Sequence, residues 1–170
     1  MKVGLDVAPL VQTGAGTARH VRGLLGALAG RPGLELRRLS FGGRGRAATV
    51  ARDAAWYPFG IAHAARELDV LHCTTMRGPL RSRPPVVVTV HDLAVLRYPE
   101  AFPAWHRWTG RLALRASVRA ADAVAVVSAF TRDELSDLLA VPVERVRIVP
   151  NGVDPVFTPA GPAVDGSYVL

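Results

Sequence analysis

Pro84-Pro-Val-Val-Val-Thr-Val-His91-Asp92 is the stretch on which the fold turns. Val86 to Val90 is short, β-branched and opened by two prolines. Such a run reads as a strand buried on both faces, the kind that builds parallel sheets. It stops on a histidine and an aspartate. In an open α/β sheet, ligands bind at the carboxyl ends of the strands, so His91 and Asp92 are candidate site residues. A histidine there can donate a hydrogen bond, act as a base or stack on a sugar. The plainer alternative is an ordinary loop start, with the histidine bonded to backbone and the aspartate closing a turn.

Outward from this strand the pattern alternates. Val3-Gly-Leu-Asp-Val-Ala8 reads as a first strand. Gly14-Ala-Gly-Thr17 leads into a helix with Val21, Leu24, Leu25 and Leu28 at helical spacing, ended by Gly30-Arg-Pro-Gly33. Leu34 to Phe41 is a second strand, and Gly42-Gly-Arg-Gly-Arg46 a flexible basic loop. A helix is expected over Phe59 to Glu67, a third strand over Asp69 to Cys73, and a helix over Trp105 to Arg119. Ala123 to Val127 is a fifth strand. Thr131-x-x-Glu134 matches a capping box and opens a helix through Leu135, Leu138 and Leu139. Arg145 to Pro150 is a sixth, short strand. Strands alternating with helices predict an α/β fold with a doubly wound, mostly parallel, Rossmann-like sheet. Asn151-Gly-Val-Asp-Pro is a turn cluster, Phe157 to Pro162 a linker, and Ser167 to Leu170 the start of another strand.

Composition bounds the rest. The 170 residues suffice for one domain with a real core, and 49% hydrophobic with 21% charged residues is globular rather than disordered. No apolar run approaches the ~20 residues needed to cross a bilayer. Met1-Lys-Val-Gly-Leu-Asp-Val runs straight into a strand pattern, so no signal peptide is expected. The single cysteine, Cys73, gives no internal disulfide and fits a reducing cytoplasm. The five histidines show no ligand spacing with it, so no metal site is expected. The net charge is +7, and of 21 basic residues only Lys2 is lysine. Arginine in such excess suits anionic partners: phosphates, nucleotides or acidic lipid headgroups. There is no recognition-helix, zinc-finger or aromatic RNA-binding signature, so no nucleic acid partner is expected.

Three further features can carry chemistry. Gly14-Ala15-Gly16-Thr17 between strand and helix lets backbone come close to a ligand at a helix N-terminus, a phosphate cradle. The alternative is a glycine turn required only for a tight connection. As a dinucleotide fingerprint it fails, because Arg19 stands where the third glycine belongs. Trp105 to Arg119 mixes two stripes: Trp105, Trp108, Leu112 and Ala116 share one face, and Arg107, Arg111, Arg115 and Arg119 recur every four residues. Aromatics beside arginines suit an anionic membrane surface. Leu114 and Val118 fall on the arginine side, however, so a helix packed on the sheet with a solvated arginine edge is the preferred reading. Ser128, ending the fifth strand, can cap the next helix or contact a ligand.

Taken together the segments resemble the N-terminal half of family 4 retaining glycosyltransferases, which have the two-domain GT-B architecture. The matching pieces are Gly14-Ala-Gly16, Val88-Thr-Val-His-Asp-Leu93 followed by Tyr98-Pro-Glu, Ala120 to Leu135, and Val149-Pro-Asn-Gly-Val-Asp154-Pro-Val-Phe157, in the family's order. The resemblance implies an acceptor-side domain over residues 1–157. Residues 158–170 would be linker and the first residues of a C-terminal donor-binding domain. It implies a hexosyltransferase, mannosyltransferase-like, that takes a nucleotide-diphosphate sugar as co-substrate, with no cofactor or metal, and a glycan, lipid-linked or small-molecule acceptor. It further implies a cytoplasmic protein, with peripheral contact to an anionic inner membrane face as an option. Gly14, Ala15, Gly16 and Thr17 would approach the donor diphosphate. His91 and Asp92 are the catalytic candidates. His72, Ser128, Asn151 and Gly152 are assigned to the acceptor or the cleft lining. The family often places a basic or aromatic side chain directly after the glycines; here Thr17-Ala18 stand there and Arg19-His20 follow, so no side-chain contact is assigned to this loop. The competing readings are a stand-alone phosphate- or glycan-binding module, and a dinucleotide-dependent oxidoreductase. Arg19 and the lack of an acidic residue closing the second strand count against the last.

Overall fold

The structure is a computed structural model that describes residues 1–154, 157, 166 and 167. Six strands form one sheet: β1 (Lys2–Asp6), β2 (Glu35–Leu39), β3 (Val70–Cys73), β4 (Val86–Val90), β5 (Ala123–Val126) and β6 (Val146–Ile148). Their spatial order is β2-β1-β3-β4-β5-β6 and every pairing is parallel. The expected doubly wound, Rossmann-like α/β fold is therefore observed, wholly rather than mostly parallel. The chain leaves β1 toward β2, then returns to pair β3 on the other side of β1. That reversal opens a crevice at the carboxyl ends of β1 and β3.

The helices are α1 (Pro9–Gln12), α2 (Gly16–Leu28), α3 (Arg46–Ala51), α4 (Ile61–Ala64), α5 (Ala94–Arg97), α6 (Ala104–Ala120) and α7 (Ala129–Leu139). Alternation along the strands divides the sheet in two. On one face Leu71, Val86, Val88, Val90, Val124 and Val126 pack with Ile61, Leu114, Val118 and Leu135 in a continuous core. On the other face Leu5 and Val7 meet Val21 of α2 in a small satellite cluster.

Four expectations change at the level of local structure. The helical region before β3 begins at Arg46, not Phe59, and runs through wide π-type turns (Arg52–Gly60) into α4. Pro58 lies inside those turns, and its carbonyl accepts from Leu80 N at 3.2 Å. A proline that looks like a stop in sequence is housed here by a locally wider helix. The glycine loop does not follow β1 directly, because α1 intervenes. The cap of α7 is Ser128, whose Oγ accepts from Thr131 N at 3.1 Å, so Thr131 is the third helical residue rather than the cap. Glu134, expected to complete that box, faces Arg97 Nε at 3.0 Å. Finally, α6 packs by Gly110, Leu114, Ser117 and Val118, and leaves Trp105, Trp108 and Leu112 exposed. The tryptophan stripe is the outer face of the helix. Arg145 donates to the carbonyls of Val118 and Ala121, closing the C-terminus of α6 with a cation, where the helix dipole favours one.

Lys2 opens β1 at the amino edge of the sheet, its backbone N–H donating to Asp69 Oδ2 at 2.6 Å. Among the described residues no helix is long and apolar enough to cross a membrane. The expected linker from 158 and the strand to Leu170 fall almost wholly outside the described residues.

Candidate functional site

The carboxyl edge gathers polar groups that the sequence scatters from Asp6 to Asn151. His91 follows β4 and its Nε2 lies 3.0 Å from the carbonyl of Thr74, just past β3. A carbonyl only accepts, so Nε2 carries the hydrogen and Nδ1 of neutral His91 keeps a lone pair. His72, in β3, bonds through Nε2 to the Thr89 hydroxyl of β4 at 2.8 Å. His20, one turn into α2, stands edge-on to His91 with ring centroids 4.8 Å apart, and its Nδ1 is 3.0 Å from Asn151 Oδ1. Three imidazoles from three elements thus meet over the crevice, and Asn151 joins them from the segment after β6.

Burial disfavours the charged form of two of these rings, His72 and His20. Burial, and then the neighbouring His20 and His91, push His72 down to about 4. Burial and the nearby His91 also lower His20, against a smaller opposing effect of its bond to Asn151. At neutral pH His72 is uncharged and offers a hydrogen-bonding ring rather than a cation. Among the described residues no group of three or more His, Cys, Asp or Glu side chains is placed to hold a metal ion.

Asp6 closes β1 below this cluster. It is fully buried, accepts from Ala8 N at 3.0 Å and from the Tyr57 hydroxyl at 3.3 Å, and its carbonyl accepts from Thr74 Oγ1 at 2.8 Å. Burial raises its carboxyl to about 6, although the Ala8 and Tyr57 bonds and nearby Arg52 pull the other way. Thr74 is the hinge between the groups: its hydroxyl holds β1 and its carbonyl orients His91.

The glycine loop lies at the same edge. Gly14, Ala15 and Gly16 are exposed, and neither glycine adopts a positive φ. A methyl group built on Gly14 or Gly16 would meet nothing within 4 Å. The protein's own packing does not require glycine at either place, which removes the tight-connection explanation. The N-cap Ala15 has no side chain to bond the first turn, and the N–H groups of Gly16 and Thr17 find no acceptor among the described residues. Bare backbone donors at a helix N-terminus suit an anion.

The remaining candidates are placed as follows. Asp92 is exposed and its Oδ1 accepts from Ala94 N at 3.0 Å, so its carboxylate closes the turn into α5. The Ser128 Oγ is engaged at the start of α7, also 3.0 Å from the Thr131 hydroxyl. Gly152 is exposed, with open space where a Cβ would stand. The structure therefore brings together His72, His91 and Asn151, sets the Gly14–Thr17 loop at the same edge, and gives Asp92 and Ser128 local jobs. His20, Thr74, Thr89 and Asp6 are the residues that sequence reasoning missed. Asp6 had a usable signal, a lone carboxylate inside an apolar strand. His20 lies one helical turn beyond Gly16, a spacing that returns it to the cradle's side of α2.

Compared with known families, the sequence matches the family model described as Glycosyltransferase Family 4 over residues 14–157. The match begins at the first glycine of the cradle and ends just past the Asn151 turn. A search of curated proteins gives no match.

Proposed function

The chain belongs to glycosyltransferase family 4, and from that premise we propose that it forms the acceptor side of a site that moves a sugar from a nucleotide-diphosphate donor to a hydroxyl. The family makes it a transferase-type domain with a sugar donor and an acceptor as substrates. The observation that carries the finer reading is the meeting of His91, His72 and His20 beside a glycine loop whose openness nothing in the chain's packing explains.

In this proposal the N–H groups of Gly16 and Thr17, with the backbone of Gly14 and Ala15, bind the donor diphosphate. His91 stands by the transferred sugar or the acceptor hydroxyl. Its lone pair at Nδ1 accepts a hydrogen bond from a hydroxyl group. Asp92 acts by holding the turn that carries His91. His72, Ser128, Asn151 and Gly152 line the cleft, and Asn151 fixes the His20 ring. The reaction follows front-face transfer with retention. The acceptor oxygen bonds to the anomeric carbon, the bond from that carbon to the phosphate oxygen breaks, and the acceptor proton passes to the departing phosphate. Most of the catalysis is positioning and stabilisation of charge on the diphosphate. The hexosyl class, the cytoplasmic setting suited to lone buried Cys73, and the need for a separate donor-binding domain belong to the same proposal. Transfer by these 170 residues alone is expected to be undetectable.

Calorimetric titration with uridine and guanosine diphosphates and their hexose derivatives tests the donor half. Binding by the wild type that is lost in Gly16→Val, with circular dichroism unchanged, is the expected result. Equal binding by both proteins would remove the cradle from the site. Acceptor-side involvement is read by ring chemical shifts of His91 and His20 on adding simple glycosides; unmoved shifts with every glycoside would count against it.

A further inference from the structure

An open groove of about 1030 Å³ runs between the helical segment 46–58 and α6. The loop after β3 joins its two banks: Gly78 N donates to Ser117 Oγ of α6 at 2.8 Å, and Leu80 N to the carbonyl of Pro58 at 3.2 Å. The walls are mostly apolar. Leu80, Trp105 and Leu112 line the groove and are 46%, 59% and 72% exposed. Large apolar side chains left in water around one hollow mark a ligand groove. The volume is that of a cleft for a multi-ring small molecule.

The polar groups of the groove are few, and most are already used. Its three hydroxyls are bonded within the chain: Thr49 donates to the Gly45 carbonyl, Thr109 to the Trp105 carbonyl, and Ser117 accepts from Gly78 N. Asp53 and Arg77 line it from opposite elements and pair at 2.6 Å through Asp53 Oδ1. Asp53 has no other hydrogen-bond partner among the described residues, so its second oxygen is open to a donor. The pair cancels its own charge, and the remaining charged lining residue, Arg46, is exposed. Tyr57 stands in the field of Arg77 and also lines the groove, while its hydroxyl reaches Asp6 Oδ2 at 3.3 Å. The polar corner of the groove thus adjoins the crevice, where the Asp6 carbonyl holds Thr74 and the Thr74 carbonyl holds His91.

We propose that this groove binds a neutral alcohol built on fused or linked rings. The rings lie among Leu80, Trp105 and Leu112, and the hydroxyl donates to Asp53. A sugar would leave most of its hydroxyls without partners between these walls. An anion would meet the Asp53 carboxylate and, apart from the paired Arg77, a single surface cation. Trp105 and Tyr57 offer ring faces, which favour stacked rings over a flexible chain, and a rigid molecule loses less freedom on binding. As the acceptor of glycosyl transfer, a name that rests on the function proposed above, such a molecule points its polar end toward His91. Its binding to the groove does not depend on transfer.

Calorimetric titration of the 170-residue chain with 2-naphthol tests this, against decanol, 2-naphthalenesulfonate and 2-methoxynaphthalene. The chain should bind 2-naphthol at least ~tenfold more tightly than decanol or the sulfonate, and ~fivefold more tightly than the methoxy ether, which cannot donate. Val50→Asp/Leu112→Asp changes two exposed positions in the walls. It should weaken 2-naphthol at least ~tenfold with circular dichroism unchanged. Asp53→Ala should erase the preference for 2-naphthol over the ether. Decanol bound as well as 2-naphthol would mean a site for chains and overturns the proposal, as does tighter binding of the sulfonate. So does undiminished 2-naphthol binding by the folded double variant, or no binding at all. Retained 2-naphthol binding in a chain that takes no nucleoside diphosphate would sink the transfer function and leave the groove's ligand standing; the opposite pair of results would sink this proposal alone.

Discussion

The two faces of the sheet differ more than their shared strands suggest. Val86, Val88 and Val90 of β4 point to a face where α4, α6 and α7 complete a continuous apolar core. The residues between them point the other way, where Thr89 bonds His72 and the apolar packing shrinks to Leu5, Val7 and Val21. One face holds the fold together. The other brings polar groups to the crevice, in surroundings dry enough to hold a histidine neutral. A single strand of alternating side chains serves both because its two faces are chemically independent.

The comparison breaks most easily at α6. Leu114→Ala removes a fully buried side chain from the core and should cost about 3 kcal/mol in urea or guanidinium unfolding. Leu112→Ala, two residues away on the outer face, should change stability by less than ~0.5 kcal/mol. Similar losses at both positions would mean that the outer face is packed too.

One buried titratable group on each face can be probed by pH: His72 on the polar face and Asp6 on the core face. His72 is depressed, so the native state resists its proton: stability is lost as pH falls from about 6.5 to about 4. Asp6 is raised, so the native state prefers its proton: stability is gained as pH falls from about 6 to about 4, and lost on the way back up. Each effect is of order 3 kcal/mol by linkage and they oppose each other, so the wild-type curve should be nearly flat across that window. Asp6→Asn should unmask the histidine, with stability falling between pH 6.5 and 4, and should gain about 1–3 kcal/mol at pH 7. His72→Gln should show the reverse slope. Parallel curves for all three proteins would deny both perturbations.

Smaller effects sharpen the same contrast. Ser128→Ala should cost about 1 kcal/mol, the value of an N-cap, seen as a lower thermal midpoint. Gly14→Ala and Gly16→Ala should leave stability within ~0.5 kcal/mol, because nothing occupies the space of the added methyl. A large loss at either glycine would return that loop to the packing of the fold.

How much of this was legible in the sequence depended on the kind of signal. The strands were legible because short β-branched runs bounded by turn residues have few other fates; β4 is observed with the bounds its residues suggested. The helix over residues 46–64 was not, because Gly42-Gly-Arg-Gly-Arg46 read as a flexible loop and the helix was expected only from Phe59, whereas the chain holds wide turns around Pro58. In α6 two stripes shared the helical period, and sequence alone could not say which one the sheet would claim. The core took Leu114 and Val118 and left the tryptophans outside. At the edge, His91 was found from its place at a strand end. His20 was passed over because its proximity to His91 arises from how α2 crosses the sheet, which no spacing in the chain records.

The near-absence of lysine has a practical side. Lys2 carries the one lysine amine, and it opens β1, beside the amino group of Met1 that donates to the Gly33 carbonyl at 2.7 Å. The histidine cluster lies at the opposite end of the strands. Reagents that couple to amines will therefore tether or label the molecule from its amino edge only. On a sensor surface such a layer would stand with every copy presenting the crevice outward, a uniform orientation obtained without adding a tag.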